Sequence, residues 1–358
     1  MNIYRKRFSF FIFIVLFIGV IQVYSASIMW AEFKYNDGIY FFKRQFIFMF
    51  LGLICYSFTS KIDIKRIERI HGLLLLVSFV LMVLVLIPGI GVERNGSRSW
   101  FQFASFYVQP SELLKLTMIF SSASLLSKKK RVDSLKDILG IIITVLTGFL
   151  LIMLQPDFGS GIVMVCGIVV MVFVAGCPIR YFLYGGLAGF IGLAGLIISA
   201  PYRLARITSF LNPWNDPLGS GFQIIQSLYA IAPGGLLGTG LNQSMQKHFY
   251  LPEPQTDFIF AICAEELGWI GGSLIILVYL LLILECLRIA LKCTDAYHCY
   301  VVVGITSLFT IQVLINLGVV VGLFPVTGIT LPFLSYGGSS MVMMMSSFGF
   351  VMGAIKSS

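Results

Sequence analysis

The stretch LPEPQTDFIFAICAEELGWIGGSLIILVYLLLILECL, residues 251–287, decides the fold. From Asp257 onward it carries an apolar run long enough to cross a hydrocarbon layer of about 30 Å with residues to spare. Four carboxylates, Glu253, Asp257, Glu265 and Glu266, crowd the beginning of that run. Charge is expensive at membrane depth, so acids at the mouth of a spanning helix are candidates for function.

The remainder of the chain is of the same kind. Of its 358 residues, 58% are hydrophobic and only 11% charged, where a soluble domain carries about a quarter. Apolar segments recur near 8–29, 45–60, 71–90, 108–127, 138–155, 160–177, 181–200, 257–287, 299–323 and 331–354. The pattern predicts an all-α polytopic membrane protein of about ten transmembrane helices, a single domain over residues 1–358.

Basic residues set the orientation. With the N-terminus inside, the cytoplasmic segments hold Arg5, Lys6, Arg7, Lys61, Lys65, Arg66, Arg69, Lys128, Lys129, Lys130, Arg131, Lys136, Arg180, Arg288, Lys292 and Lys356, 16 of the 25 cations. Only 6 of 16 acids join them: Asp63, Glu68, Asp133, Asp137, Glu285 and Asp295. Both termini are therefore expected in the cytoplasm. The basic runs lack interleaved aromatics, which fits anionic lipid and excludes nucleic acid as a partner. Trp30, Trp100, Trp214 and Trp269 fall at or beyond the outer helix ends, where interfacial indoles belong. Seven cysteines without zinc or redox spacing read as packing residues. The first apolar run, followed by VYSAS at 23–27, imitates a signal peptide, but its length of about 20 residues favours a retained helix.

Polar chemistry gathers on the outer side. The segment 201–256, between the seventh and eighth spans, is long for a compact chain and rich in Gly, Pro, Asn and aromatics. Within it FQIIQSLYAI (222–231) has helical apolar spacing and suits a helix lying at the membrane surface. The loop supplies Arg203, Arg206, Asp216 and Lys247, and such cations beside a lipid headgroup suit phosphate. ERNGSRSWFQFASFYVQPSELLKL (93–116) adds Arg94, Arg98 and Gln109, then Glu112 and Lys115 inside the next span. Three residues apart on a helix, that acid and base share a face, as a neutralised structural pair or as functional groups. QPDFGSG (155–161) puts Asp157 at the following outer turn, where an N-cap role is the plain alternative.

In the opening stretch Pro252 and Pro254 keep the chain extended around Glu253, so the helix is expected to start after Gln255 with Thr256 as N-cap. Asp257 then lies in the first turn, where it either stabilises the helix end or, partly desolvated, serves as a base. Spacing leaves both open.

In sequence order these motifs resemble the SEDS family (shape, elongation, division and sporulation), the group of FtsW, RodA and SpoVE. VYSAS, NGSRSW (95–100), QPSELLK (109–115) and QPDFGSG are followed by FLNPWNDPLGSGFQIIQSLYAI (210–231) and GGLLGTGL (234–241). YLPEPQTDFIFAICAEELG (250–268) and NLGVVVGLFPVTGITLPFLSYGGSS (316–340) complete the set. The resemblance covers essentially the whole chain and is nearest to the FtsW and SpoVE branch of Gram-positive bacteria.

The resemblance implies a ten-helix glycosyltransferase that polymerises lipid II into β-1,4 glycan on the outer face of the bacterial cytoplasmic membrane, in division or sporulation. It also implies a class B penicillin-binding protein as transpeptidase partner, among divisome or sporulation proteins. It makes Asp257 the catalytic residue and Lys115 functionally important. Where some relatives have a cation before V/I-Q-P this chain has Tyr107, so Arg98, Arg203, Arg206 or Lys247 is expected to meet pyrophosphate. Single displacement with inversion needs one base and a stabilised leaving group, aided by a divalent cation such as Mg or Mn if one is used. Glu112, Gln109 and Glu253 are further candidates around the substrate, Glu253 as a metal ligand or a partner that orients Lys247. Glu265 and Glu266 are expected to brace packed helices. FPVTGITLPFLSYGGSS (324–340) interrupts the last span with Pro and Gly, and is expected to line the lipid II groove with Ser335, Ser339 and Ser340. A lipid II flippase or other transporter, and a non-catalytic scaffold for the penicillin-binding partner, are the alternatives. Polar groups clustered at one end, away from the midplane, favour outside chemistry.

Overall fold

The computed structural model describes residues 2–94, 96–104, 106–129, 131–198, 204 and 208–355. Helix α1 (Asn2–Tyr35) is 34 residues, about 50 Å at 1.5 Å per residue. It stops where Asn36 turns left-handed at φ 51°, a conformation Asn tolerates. Helices α2 (Tyr40–Thr59) and α3 (Ile64–Leu84) follow, the latter capped by Asp63 accepting from Lys65 N at 3.1 Å. After a sheet come α4 (Pro110–Ser127), α5 (Leu135–Met153), α6 (Phe158–Val174) and α7 (Ile179–Ile198). The short α8 (Phe222–Ile231) is the stretch whose apolar spacing predicts a helix. Helices α9 (Ile259–Ala290), α10 (Ala296–Val320) and α11 (Gly338–Ala354) close the chain.

Among the described residues, six helices are long and apolar enough to cross a membrane, and the chain is a multi-pass membrane protein. Its surface is apolar where that of a soluble bundle would be polar. Leu139, Ile143, Leu146 and Leu150, one face of α5, are exposed, while Thr117, Ser121, Ser122 and Ser124 of α4 are buried. Small hydroxylated residues let helices approach closely and bond across, as Ser78 and Thr117 do at 2.8 Å. Helix α4 lies at the centre, packed by α3, α5, α6, α10 and α11.

Two regions depart from the sequence expectation. Strands β1 (Gly91–Arg94), β2 (Ser97–Phe103) and β3 (Phe106–Val108) form an antiparallel sheet in that order, so the chain is mostly helical and not all-α. Arg94 faces Ser97 across a turn containing Gly96 at φ 77°. An Asn-Gly pair between alternating residues is a hairpin signal, and a backbone beyond the helix ends must pair with something. The sheet is fixed by Ser99, which donates to Gln155 O at 3.2 Å, while Gln155 Nε2 reaches Met82 O at 3.2 Å.

The second departure is the last helix, which begins at Gly338, with residues 321–337 non-helical and the part from Ile329 to Ser335 packed into the bundle. Their carbonyls cannot bond along a helix, so side chains of three helices satisfy them. Gln45 of α2 donates to Ser335 O at 3.1 Å, and Tyr279 of α9 to Pro332 O at 2.6 Å. Gln312 and Asn316 of α10 donate to Thr330 O at 3.0 Å and Ile329 O at 2.7 Å. Polar side chains of this kind are what non-helical backbone needs inside a membrane. Phe333, at φ 67°, anchors the segment by packing its ring against Phe309 and Phe348. Gly19 of α1 makes room for it; a Cβ there would lie 2.1 Å from Phe333 O.

Candidate active site

Asp257 sits in a turn ahead of α9, which begins at Ile259 with Phe258 as its cap, and not at Thr256 as expected. The cause is a competing acceptor arrangement. Ala261 N bonds Phe258 O at 2.9 Å, and Asp257 O is taken instead by Asn316 Nδ2 at 2.7 Å. Thr256 spends its hydroxyl on Glu253 O at 2.7 Å and on Asp257 Oδ1 at 3.0 Å. Leu251 and Phe258 are fully buried on either side and pin the turn, leaving Asp257 and Glu253 half-buried between them. Glu253 itself is left-handed at φ 43°.

The turn is tied to the non-helical segment twice. Asn316 Nδ2 bridges Asp257 O and Ile329 O, both at 2.7 Å, and Tyr336 N donates to Gln255 O at 2.8 Å. The Tyr336 phenol in turn hydrogen-bonds the Arg44 guanidinium, which stacks over the Tyr40 ring at 4.6 Å and lies 5.7 Å from the Phe106 ring. On the adjoining strand position Tyr107 carries a second guanidinium, Arg94, at 4.4 Å. Strand neighbours point to opposite faces, so β3 is flanked by one arginine on each side. Arg98 pairs loosely with Glu93 at 3.6 Å on the same sheet.

A second polar cluster stands at the start of α4. Lys115 Nζ and Glu112 Oε1 are 3.0 Å apart, with 6% and 8% of their side chains exposed. They face a cavity of about 20 Å³ shared with Gln312 and Ser347. Gln109 Nε2 donates to Asp157 Oδ2 at 2.8 Å, and Asp157 caps α6 by accepting from Ser160 N at 3.1 Å. Gln312 and Asn316, one turn apart on α10, connect this cluster to the Asp257 turn through the carbonyls of Thr330 and Ile329.

The acids deeper in α9 do something else. Gly268 breaks the helix at φ 67°, and the freed backbone pairs with the loop before it. Thr239 N meets Glu265 O at 2.9 Å, Gly240 N meets Glu266 O at 3.0 Å, and Trp269 N meets Gly235 O at 2.9 Å. The buried Glu265 carboxylate accepts from Met245 N at 2.8 Å and from Ser244. Glu266 accepts from Ser25 of α1 at 2.6 and 2.7 Å and from Lys247 at 3.5 Å. Lys247 is turned inward against Glu266 and Asn242, not beside Glu253. Burial lowers its pKa, and Glu266 opposes that shift. Ser335 is also inward, its hydroxyl accepting from Leu331 N at 2.8 Å, whereas Ser339 and Ser340 are half-buried at the start of α11. Arg203 and Arg206 lie outside the described residues.

Asp257 and the Lys115 pair are thus joined at one end of the bundle, the end carrying the sheet. Arg44, Gln45, Gln312, Asn316 and Tyr336 belong to that arrangement and were not singled out in the sequence. The signal was present for four of them: Arg44, Gln45, Gln312 and Asn316 are polar residues interrupting apolar runs.

The family of cell cycle proteins comprising FtsW, RodA and SpoVE matches residues 6–358. The chain belongs to this family. It is 55% identical over 341 residues to stage V sporulation protein E of Bacillus subtilis, covering 94% of this chain and 92% of that protein. It is 40% identical over 340 residues to the probable peptidoglycan glycosyltransferase FtsW of Trichlorobacter lovleyi, covering 93% and 88%. Among solved structures, it is similar to a chain of a peptidoglycan synthase complex that coordinates polymerization and crosslinking, with TM-score 0.81 and 31% identity, covering 98% and 96%. The rod shape determining protein RodA of Thermus thermophilus superposes with TM-score 0.74 at 28% identity, covering 98% and 95%. The FtsW/RodA/SpoVE member described here therefore has a RodA-like fold.

Proposed function

We propose that the chain is a peptidoglycan glycosyltransferase that polymerises lipid II into β-1,4 glycan strands. The observation that carries the reading is the half-buried Asp257, held in a turn outside any helix by Asn316 and Thr256. Relatives bearing the name peptidoglycan glycosyltransferase support it along nearly the whole chain. In this reading the ten long helices all span the membrane, both termini are cytoplasmic, and the sheet end with the 201–256 loop faces outward. The cation distribution supports that orientation.

The chemistry is one displacement. Asp257 accepts the proton of the acceptor GlcNAc C4 hydroxyl as that oxygen attacks the muramyl C1 of the donor. The C1–O bond to undecaprenyl pyrophosphate breaks, and the anomeric configuration inverts. A glycosidase-like double displacement would need two carboxylates set across the bond; here one base suffices. Negative charge building on the leaving pyrophosphate calls for preorganised cations, and Lys115, Arg44, Arg94 and Arg98 are among the cations at this end. Lys115 must exchange Glu112 for phosphate oxygen. Among the described residues no three His, Cys, Asp or Glu side chains are grouped to hold a metal ion. A divalent cation would therefore take most of its oxygens from pyrophosphate and water, as Mg commonly does, and no step is assigned to it.

The complex of polymerization and crosslinking that contains a similar chain supports a class B penicillin-binding protein as partner. The higher identity to the sporulation protein favours a place in spore wall synthesis over division. The test is purified protein in detergent, with and without its partner, given lipid II and examined for glycan chains on a gel. A flippase makes no polymer there. Asp257→Asn is expected to lower polymerisation about 100- to 10,000-fold while the variant still binds its partner; near wild-type polymer from it would refute the assignment.

A further inference from the structure

We infer that Asn316 is a positioning residue for Asp257, holding the carboxylate in its working direction by gripping the same residue's backbone. The inference rests on the assignment of Asp257 as base.

Three observations carry it. Asn316 is 1% exposed near the end of α10, and its single NH₂ group donates at 2.7 Å to both Asp257 O and Ile329 O. Those two carbonyls belong to two stretches of backbone that meet at the turn, one before α9 and one in the 321–337 segment. The bond also diverts Asp257 O from the helical ladder, since Ala261 N goes to Phe258 O. Without the amide, nothing in the local sequence stops α9 from extending one turn toward Thr256, an N-cap residue by type. Such an extension would give the Asp257 side chain the azimuth its place in the helix dictates, about 100° from each neighbouring residue, in place of the direction the turn gives it. A misplacement of about 1 Å in a catalytic group costs on the order of 100-fold in rate.

Asn316 touches no reacting atom in this arrangement. Its two donors are spent on backbone, and its effect passes through φ and ψ of Asp257. The prediction therefore differs from that for a substrate contact: turnover falls and apparent affinity does not.

The test uses the full-length chain in complex with its penicillin-binding partner, with initial polymerisation rates measured against lipid II concentration. Asn316→Asp keeps the shape but replaces donors by acceptors, and Asn316→Leu removes both donors. Tyr279→Phe is the control, because it deletes a bond to Pro332 O in the same non-helical segment without reaching Asp257. Asn316→Asp and Asn316→Leu are expected to lower kcat about 10- to 100-fold with KM within about threefold of wild type. Tyr279→Phe should stay within about threefold in both. Equal losses in all three variants would overturn the inference by showing that only the segment's integrity matters. So would unchanged kcat in the Asn316 variants, or a rise in KM alone. Asp257→Asn, run alongside, separates the two levels: if it retains activity the base assignment fails, whereas a dead Asp257→Asn with an active Asn316→Leu sinks only the positioning role.

Discussion

Lys247 and Glu266 are both fully buried, and the ammonium sits 3.5 Å from Glu266 Oε1 with Asn242 as its other partner. Removing one member of such a pair strands the other charge in a low-dielectric site, at a cost of about 3–5 kcal/mol. At about 2 °C per kcal/mol for a chain of this length, Lys247→Met and Glu266→Gln should each lower Tm by about 6–10 °C. Replacing both removes the stranded charge, so the double variant should regain most of the loss and lie within about 2 kcal/mol of wild type. Thermal unfolding of the detergent-purified protein, followed by tryptophan fluorescence, measures all three. Glu266 also holds Ser25 of α1 through two contacts at 2.6 and 2.7 Å, so Glu266→Gln should be the worse single change. The opposite pattern is equally clear. If Lys247→Met melted like wild type yet polymerised slowly with a raised KM, Lys247 would be a pyrophosphate ligand that turns outward, and the brace would be wrong.

Two further outcomes follow from contacts at the same end. Gly19→Ala would place its Cβ 2.1 Å from Phe333 O, and overpacking of this kind costs about 1–3 kcal/mol, read as a lower Tm of the purified protein. Arg44→Ala removes a guanidinium stacked on Tyr40 and bonded to Tyr336; loss of a charge-assisted bond to phosphate, worth about 1.5–3 kcal/mol, should raise the lipid II KM about 10- to 100-fold, with a flat KM arguing that Arg44 only holds Tyr336.

Composition and cation placement were sufficient to read a multi-pass helical chain, because hydrocarbon admits few alternatives to helix and translocation sorts lysine and arginine. The hairpin at 91–103 was harder. Its strands are only 4 and 7 residues, and beside long apolar runs such alternation looks like loop, although the Asn-Gly pair marked the turn. The start of α11 was misread for a different reason. ITLPFLSYGG has the hydropathy of a span whether or not it is helical, and Pro325, Gly328, Pro332, Gly337 and Gly338 marked an interruption without marking where the helix resumes. Side-chain partners were least legible. Glu112 and Lys115 could be paired from spacing alone because three residues on a helix bring side chains together. Lys247 and Glu266 are joined only by the way the loop folds into the break at Gly268, which no periodicity encodes. Asn316 reads as one polar residue in an apolar helix until the two carbonyls it serves are known.

The polar residues of α10 become intelligible from the segment they face. A helix consumes its own carbonyls, so a helical 321–337 would ask nothing of Gln312 and Asn316 and would leave two buried amides without acceptors. Conversely, a non-helical segment without those amides would expose Thr330 O and Ile329 O to hydrocarbon. Each choice is unstable without the other. Asp257 is drawn into the same bargain through Asn316, since the donor that satisfies Ile329 O also keeps Asp257 O out of α9. The break in the last span and the unwound start of α9 are therefore one structural decision, and a carboxylate kept off a helix is its consequence.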